Sequence, residues 1–405
     1  MKTLRARIIL PVGSPPIEDG AVVVERGRVV SVGPWEGGGG PEVEDLGEVV
    51  LMPGLINAHC HLDYSLMKGA ILYSGSFSAW VRRINELKRT QTDDDYLDAI
   101  AAGFRELRGN GTTGVFNIES FPELMVRMPP PPIRTWWFYE LMDIRSRIHT
   151  DDVVAGALAF FEASKDWLGG FGLSPHAPYT TSRELYELIR DCCERYKMPM
   201  MTHLAETREE FEMFSKSSGV LYEFLAGLGR EMGDTGGTTP VRHLMEKGTL
   251  PKGTILTHMN VLEESDWDLM AERKGDFSVV HCPNCHEYFG REVFPLERFR
   301  ELGINLCLGT DSLASNRALN LFEEMRTVRK NHRGVPAEDV LDMVTRNAAR
   351  AIGREGRLGE IREGAHADLI AVPYEGTAGN ALAAVIENRE AIDWMMVDGK
   401  MANTL

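Results

Sequence analysis

Apolar and polar positions in the middle of the chain follow two alternating patterns. Short apolar runs rich in β-branched residues alternate with longer segments, such as 182–196 and 317–332, in which apolar residues recur at the 3.6-residue period of a helix. Nearly continuous apolar strands separated by helices indicate a parallel sheet covered by helices, and eight such strands predict closure into a barrel. The predicted strands are Leu55 to His61, Thr112 to Ile118, Arg134 to Leu141, Phe171 to His176, Pro199 to His203, Thr254 to His258, Phe277 to His281 and Ile304 to Asp311.

Both ends of the chain carry a different pattern, in which short β-rich runs are broken by tight turns. Residues 28–32 near the start and 367–373 near the end are examples. We therefore predict that residues 1–52 and 358–405 form one small β-sandwich domain, which flanks a barrel formed by residues 53–357. The predicted fold class is α/β, a (β/α)8 TIM barrel with a β-sandwich built from both chain ends.

The composition favours chemistry on small molecules. The formal net charge of −16 argues against a nucleic-acid partner, because phosphate binding needs a basic surface. The six cysteines lack the regular spacing of a disulfide scaffold, and the apolar run near the start is too short for a signal peptide. No stretch reaches the roughly 18 apolar residues of a membrane span. We expect a cytoplasmic protein with a small-molecule substrate and no nucleic-acid or membrane partner; a homo-oligomer is compatible with the sequence.

Polar side chains fall repeatedly at the carboxyl ends of the predicted strands, the face on which barrel enzymes build active sites. His59 and His61 are residues i and i+2 of one strand, so both can reach one ion. His203 and Asp311 can complete a set of three nitrogens and one oxygen that leaves a position for water. Two histidines bonded to backbone explain the His59/His61 pair equally well, and a satisfied polar residue under a loop is the simpler explanation for His203, His258 or Asp311 taken singly. The joint pattern nevertheless favours a divalent metal site. The strand-end residues are His59, His61, His176, His203, His258 and Asp311.

Glu206 follows His203 by three residues, in Thr202-His-Leu-Ala-Glu-Thr207. A carboxylate at this spacing can lie beside a water on the metal and move protons between that water and a substrate. The alternative is a solvated glutamate that stabilises a helix N-terminus. The neighbouring ligand favours the catalytic interpretation.

The segment His281-Cys-Pro-Asn-Cys-His286 invites a different interpretation, a structural zinc knuckle. The Cys-x-x-Cys pair is too compact to supply tetrahedral coordination, and no second pair completes it. The zinc deaminases of the cytidine type are also unsupported, since they need His-x-Glu followed by Pro-Cys-x-x-Cys. We interpret this segment as a loop that lines the pocket.

Over essentially the whole chain, these motifs resemble the amidohydrolase superfamily, and more narrowly its branch of methylthioadenosine/S-adenosylhomocysteine deaminases, aminofutalosine deaminases and triazine chlorohydrolases. The resemblance implies one divalent ion on His59, His61, His203 and Asp311, with zinc preferred and iron or manganese as alternatives. The motifs that carry it are Pro53-Gly-Leu-Ile-Asn-Ala-His-Cys-His61, Ser174-Pro-His-Ala-Pro-Tyr179, Thr202-His-Leu-Ala-Glu-Thr207, Leu256-Thr-His258, Leu308-Gly-Thr-Asp-Ser312 and Gly364-Ala-His-Ala-Asp-Leu369.

The same resemblance implies roles around the ion. Glu206 would be the proton shuttle, and His258 together with Asp311 would orient the attacking water. His176 would contact the substrate ring, and we expect Trp80 and Ser315 to contact substrate as well. The implied reaction is hydrolytic deamination of an adenine-type nucleoside. The residues implied in catalysis are Glu206, His258 and Asp311.

The chain departs from the methylthioadenosine type in two motifs. Cys282-Pro-Asn-Cys-His-Glu-Tyr-Phe289 stands where an Asn-Pro-x-Ser-Asn motif is usual, and Glu86 is out of register for the ribose-binding glutamate. A 5′ extension that carries a carboxylate would need a cation, for which Arg145 and Arg147 follow the third strand. Two solvated loop arginines explain this pair equally well.

Two other functions stay open at this stage. One is hydrolysis of another C–N or C–Cl bond on an aminated heterocycle of the guanine, pterin or triazine type. The other is an inactive metal-storage or scaffold barrel, which predicts that a reactive group would be missing, and none is. We also expect a single ion per chain, because no strand-end lysine is in place for a carbamate bridge to a second metal.

Overall fold

The structure is a computed structural model that describes residues 1–37, 42–144 and 150–402. Most strands follow the runs predicted from the sequence. The strands are β1 (Lys2–Ile9), β2 (Ile17–Glu25), β3 (Arg28–Pro34), β4 (Val43–Asp45), β5 (Val49–Pro53), β6 (Leu55–His61), β7 (Thr112–Glu119), β8 (Arg134–Leu141), β9 (Gly169–Pro175), β10 (Met201–Leu204), β11 (Thr254–His258), β12 (Phe277–His281), β13 (Asn305–Leu308), β14 (Asp311–Ser312), β15 (Leu369–Pro373), β16 (Trp394–Val397) and β17 (Lys400–Met401).

Helices fill most of the intervals between the barrel strands, and a short 3-10 helix (Leu62–Met67) follows β6. Within the described ranges, no helix combines the length and the apolar character of a membrane span. The helices are α1 (Phe77–Lys88), α2 (Asp93–Gly109), α3 (Pro122–Met125), α4 (Thr150–Ala163), α5 (Arg183–Tyr196), α6 (Arg208–Lys216), α7 (Val220–Gly227), α8 (Pro240–Met245), α9 (Glu264–Glu272), α10 (Pro283–Tyr288), α11 (Leu296–Glu301), α12 (Leu321–Asn331), α13 (Ala337–Asp342), α14 (Arg346–Ala351) and α15 (Ala378–Ile386).

The predicted barrel is confirmed. Its parallel strands run in the order β14, β6, β7, β8 and β9, and then β10 to β13. A parallel bridge between Leu173 and Met200 joins the two groups, and Thr310 N donates to His59 O at 3.1 Å where the last strand meets the first. Every residue of β6 and β7 is buried, including the polar ones, as expected for barrel strands that are covered on both faces.

The eighth strand differs from the prediction because it is interrupted between β13 and β14. Gly309 lies in this break, and a Cβ atom there would come within 2.8 Å of His59 Cβ. Only glycine therefore lets the eighth strand approach the first this closely. The segment after β12 also differs, since residues 283–288 form helix α10 rather than the predicted loop, with Pro283 in its first turn.

Strands from both ends of the chain share one sheet, as the sequence predicts. Its order is β17, β16, β15, β5, β1, β2 and β3, with β4 beside β1. The two ends meet where β15 runs antiparallel to β5, with Ile370 opposite Met52. Leu4, Leu51 and Leu369 are fully buried in the core of this sheet. The boundaries at residues 52 and 358 stay predictions.

A buried ion pair connects the barrel to this sheet. Arg134, the first residue of β8, donates from Nε to Asp368 Oδ2 at 2.7 Å and from Nη2 to Asp368 Oδ1 at 3.1 Å. Arg134 Nη2 also donates to Asp398 Oδ1 at 3.0 Å, and Asp398 N donates to Asp368 Oδ1 at 2.7 Å. The forked geometry of the guanidinium suits this two-oxygen contact. Asp368 belongs to the Gly364-Ala-His-Ala-Asp-Leu369 motif, so the motif has a structural role between the two units.

We expect Asp368→Asn to lower the free energy of unfolding by about 3 kcal/mol, because loss of one buried partner leaves the Arg134 charge poorly compensated. Urea unfolding followed by fluorescence measures this change. Glu86→Gln is the matched control, since Glu86 forms an exposed pair with Arg83, and we expect no measurable effect there. Equal stability of Asp368→Asn and the parent would contradict the role given to this pair.

Candidate metal centre and substrate pocket

Three histidines converge at the carboxyl end of the barrel. His59 and His61 lie on β6, and His203 lies on β10. One ring nitrogen from each lies within 4.8 Å of the other two, and the Nε2 atoms of His61 and His203 are 3.3 Å apart. His59 Nε2 is buried and has no hydrogen-bond partner among the described residues. A buried lone pair of this kind needs a hydrogen-bond donor or a cation, and a divalent ion at the point of convergence would bind it.

The second nitrogens of two rings are held by other contacts, which fixes the ring orientations. His203 Nδ1 donates to the backbone oxygen of His176 at 2.9 Å. His59 Nδ1 lies 3.4 Å from both Met201 Sδ and Thr257 Oγ1. Contacts of this kind select the tautomer whose Nε2 is free to bind a metal.

Asp311 completes the candidate ligand set from the eighth strand. Its Oδ1 lies 3.7 Å from His59 Nε2 and 3.8 Å from His61 Nε2. Its Oδ2 accepts hydrogen bonds from Cys285 Sγ at 2.8 Å and from Ser315 Oγ at 3.2 Å. Ser315, which we expected to contact substrate, is fully buried behind Asp311 and holds this carboxylate instead. One carboxylate oxygen is thus anchored while the other faces the histidines.

The electrostatics of the site favour the forms of these side chains that bind metal. Burial lowers the pKa of His61 to about 3 and lowers that of His59 as well. Burial alone would raise the pKa of Asp311, but the neighbouring histidines, His59 first, lower it well below its usual range. At neutral pH the His59 and His61 rings are therefore neutral and Asp311 is charged, as metal binding requires.

Glu206 and His258 lie next to this centre. Glu206 Oε1 is 3.8 Å from His258 Nε2 and accepts a hydrogen bond from Arg291 Nη2 at 2.8 Å. Glu206 precedes helix α6, whose N-cap is Thr207, so the helix-end alternative does not fit this geometry. Burial raises the pKa of Glu206, and the Arg291 guanidinium opposes that rise. Such a carboxyl group is able to both accept and return a proton.

Backbone geometry directs these side chains toward one point. Ala205, His258 and Asp311 all have positive φ angles, of 51°, 81° and 58°. Non-glycine residues rarely adopt this conformation, and it persists only where the surroundings enforce it. Glu210 supports the first of these turns, since its carboxylate accepts hydrogen bonds from Ala205 N and Glu206 N at 3.2 and 2.6 Å.

A pocket of about 380 Å³ opens above the centre. His176 and Trp80 line it, and their contact with substrate stays a prediction. The centroid of the Trp80 ring lies 5.8 Å from that of Phe77 and 5.0 Å from that of Phe289. Arg145 and Arg147 lie outside the described residues. The wall away from the metal centre is largely apolar and comes mainly from α1 and α7: Phe77, Trp80, Val81, Ile84, Leu221, Phe224 and Leu225.

Glu140 is a pocket residue that the sequence interpretation missed. It is buried at the end of β8, with Oε2 accepting a hydrogen bond from Ser120 Oγ at 2.7 Å and Oε1 lying 3.9 Å from His176 Nε2. The charge of His176, then of His61 and His203, lowers its pKa to about 2 against the effect of burial. A carboxylate that ends a buried strand is the same signal that identified Asp311, so this residue was open to prediction.

Three further residues of the site were also missed. Cys285 contacts Asp311, Arg291 contacts Glu206, and Glu210 holds the backbone of Glu206. All three lie on helices or loops rather than at strand ends, so the pattern of polar residues at strand ends could not identify them. The His281 to His286 segment therefore supports the ligand Asp311 through Cys285, whereas we had predicted that it lines the pocket.

Comparison with known proteins fits this geometry. The model of the amidohydrolase family matches residues 50–402. The chain belongs to the amidohydrolase family. This confirms the family predicted from the sequence motifs, and with it a metal-dependent hydrolase. A Syntrophobacter fumaroxidans protein named 5-methylthioadenosine/S-adenosylhomocysteine deaminase is 32% identical to this amidohydrolase over 375 residues, which cover 88% of this chain and 80% of the relative.

Two solved structures share the fold. The Helicobacter pylori aminofutalosine deaminase, in complex with methylthio-coformycin, superposes with a TM-score of 0.88 at 21% identity, covering 99% of this chain and all of that one. An adenosine deaminase from Xanthomonas campestris with bound zinc has a TM-score of 0.80 at 24% identity, covering 98% and 92%. These similarities support the barrel and its accompanying end sheet.

We expect the purified amidohydrolase to hold close to one divalent ion per chain, because the His59, His61, His203 and Asp311 side chains converge on one point. Elemental analysis after purification without chelator measures the stoichiometry. His203→Ala should lose most of the metal, whereas His332→Gln should keep it, since His332 is buried elsewhere beside Glu297. A content near two ions, or near zero in the parent, would contradict the single-ion site.

Proposed function

We propose that this amidohydrolase is a hydrolytic deaminase of an adenine-type nucleoside, of the methylthioadenosine, S-adenosylhomocysteine or aminofutalosine class, and that it releases ammonia. The observation that carries the proposal is the pocket itself. A metal-binding set of three histidines and one aspartate, with Glu206 and His258 beside it, lies at the inner end of a largely apolar cavity. The Syntrophobacter fumaroxidans relative, named for this deamination, supports it.

We propose zinc as the ion, with iron and manganese as alternatives. Three imidazole nitrogens and one carboxylate oxygen suit zinc in a catalytic site, and the Xanthomonas campestris structure with the same fold holds zinc. When bound, the ion lowers the pKa of a coordinated water to about 7, so that a nucleophile is available at neutral pH. A cytoplasmic location belongs to the same proposal, and the six cysteines support it, since their spacing is not that of a disulfide scaffold and thiols persist in a reducing compartment.

The chain's own side chains would carry out the proton transfers. Asp311 and His258 lie on one side of the cavity floor and can orient the attacking water by hydrogen bonds. Glu206 can take one proton from that water and deliver it to a ring nitrogen, and it can then take the second proton from the hydroxyl group of the tetrahedral intermediate and deliver it to the departing amine. Protonation of the ring makes the carbon that bears the amine electrophilic. The product ammonia then leaves with the C–N bond electrons, and the ring keeps a carbonyl oxygen from water.

The rest of the pocket suits a nucleoside. The purine faces require flat apolar surfaces, which Trp80 and Phe77 provide on one wall. Contact of His176 with the ring is part of the proposal, and it is supported by the position of His176 in the pocket lining and by Thr180 Oγ1, which lies 2.6 Å from Nδ1 and so orients the imidazole. Burial lowers the pKa of His176 to about 4, so the ring is neutral at pH 7 and its Nε2 can accept a hydrogen bond. A 5′ group would extend toward the apolar residues of α7.

An ammonia-release screen tests the proposed substrate class. We expect turnover of methylthioadenosine, S-adenosylhomocysteine, aminofutalosine or adenosine, because the centre and the apolar wall both suit an adenine nucleoside. Guanine, a pterin and a chlorotriazine serve as comparison substrates, with chloride measured for the last. Ammonia from guanine or the pterin alone, or chloride release, would instead support hydrolysis of another C–N or C–Cl bond.

We expect Glu206→Gln to bind metal at the parental stoichiometry and to lower kcat by roughly 100-fold or more, because the amide keeps the shape and loses the transferable proton. Steady-state ammonia release and elemental analysis provide the two measurements. Glu209→Gln would not be a suitable control, since Glu209 caps α1 through Ser76 and Ser78. Glu212→Gln, on the exposed side of α6, should retain parental kcat. Activity of Glu206→Gln within a few-fold of the parent would remove Glu206 from the proton-transfer role.

A further inference from the structure

Among the residues that the structure describes, the guanidinium of Arg291 forms one ion pair, with the carboxylate of Glu206. The residue follows helix α10, and its guanidinium is almost completely enclosed, with 11% of the side chain exposed. Nη2 donates to Glu206 Oε1 at 2.8 Å, whereas Nη1 is buried without a partner among the described residues. The contact is therefore made to one carboxylate oxygen rather than to both.

A second contact, with the Phe289 ring, also holds the Arg291 guanidinium. Its guanidinium carbon lies 4.5 Å from the centre of the Phe289 ring, within the range of a cation–π contact. The preceding helix is held by His286, whose Nδ1 lies 3.2 Å from Asn260 Oδ1. Asn260 Nδ2 in turn donates to Glu206 O at 3.1 Å. The loop that carries Arg291 and the backbone of Glu206 are thus connected a second time.

The two oxygens of the Glu206 carboxylate consequently have different surroundings. Oε1 has the guanidinium at 2.8 Å and His258 Nε2 at 3.8 Å. Oε2 has no hydrogen-bond partner among the residues that the structure describes, and Glu206 is one of the side chains that line the pocket. The charge-assisted hydrogen bond from Nη2 restrains Oε1 and thereby limits the motion of the whole carboxylate group.

We propose that Arg291 is a positioning residue for proton transfer, which holds Glu206 by Oε1 and leaves Oε2 free to exchange protons with water and substrate. The geometry of the ion pair supports the placement of the Glu206 carboxylate by Arg291. The expected kinetic effect rests in addition on the proposed function. Arg291 is not among the side chains that line the pocket, so it acts through Glu206 and not by contact with substrate.

A purely structural ion pair is the competing explanation, because buried pairs often serve the fold without any part in the reaction. Kinetics separate the two explanations. A structural pair affects folding and all kinetic parameters together, whereas a positioning residue changes kcat and leaves KM nearly constant. In addition, a residue that acts only through Glu206 has no further effect once Glu206 has been replaced.

The experiment compares R291M, R291K, E206Q and the E206Q/R291M double variant with the parent, in ammonia release from methylthioadenosine. R298M is the control, since Arg298 on α11 likewise pairs with a glutamate, Glu264, and lies 4.4 Å over an aromatic ring, Trp267, but this pair is exposed and does not involve Glu206. Metal content and the midpoint of thermal unfolding are measured for each variant.

We expect R291M to lower kcat by about 100-fold, the effect of a small displacement of a catalytic group, with KM within threefold of the parent. R291K should recover part of the loss, because lysine restores the charge without the forked geometry. R298M should retain parental kcat. The double variant should be no slower than E206Q.

Parental kcat in R291M, or a double variant slower than E206Q by the full R291M factor, would overturn the proposal. If R291M does not fold, R291K decides: parental kcat in folded R291K overturns it, and a lowered kcat at unchanged KM supports it. Infrared difference spectra of parent minus E206Q report the Glu206 carboxylate without any substrate. A carboxylate band that is the same in R291K and the parent overturns the proposal that Arg291 positions Glu206. Because these spectra need no substrate, this failure can be distinguished from a failure of the proposed substrate class.

Discussion

The burial of imidazole nitrogens without a protein partner is the constraint on which the structure depends. A lone pair such as that of His59 Nε2, removed from water, costs free energy unless something binds it. The closed barrel brings such groups together because parallel strands end on one face, and contacts behind the His59 and His203 rings occupy the second nitrogen of each. The fold thereby prepares a cation site whose ligands are neutral or anionic before the ion arrives.

The elements that the sequence predicted are those with a regular period. Eight buried parallel strands produce eight apolar runs, and polar residues at their ends, such as His203 and Asp311, stand out against that background. Glu140 carries the same signal. Arg291 and Cys285 carry none, because their contacts depend on how a helix and a loop pack over the barrel, which local periodicity does not encode. The break at Gly309 likewise follows from the approach of two distant strands.

Charged and apolar side chains lie on different parts of the pocket because different elements of secondary structure supply them. Strand ends supply nearly all the charged and ligating groups, whereas helices α1 and α7 supply the apolar wall. Glu209 connects these parts, since its carboxylate accepts hydrogen bonds from the backbone of Phe77 and Ser78 at the start of α1. The rigid ligand set and the wall that faces substrate can therefore vary separately in sequence, as long as this connection is kept.

The sheet that unites both chain ends has a consequence for biosynthesis. Strand β5 leaves the ribosome early, but its partner β15 emerges only after the entire barrel has been made. Until then the β5 edge exposes unpaired backbone groups that are able to pair with another nascent chain. Strand pairing between such distant segments also closes slowly. Chaperone dependence and sensitivity to translation rate would therefore be concentrated in the first fifty residues rather than in the catalytic barrel.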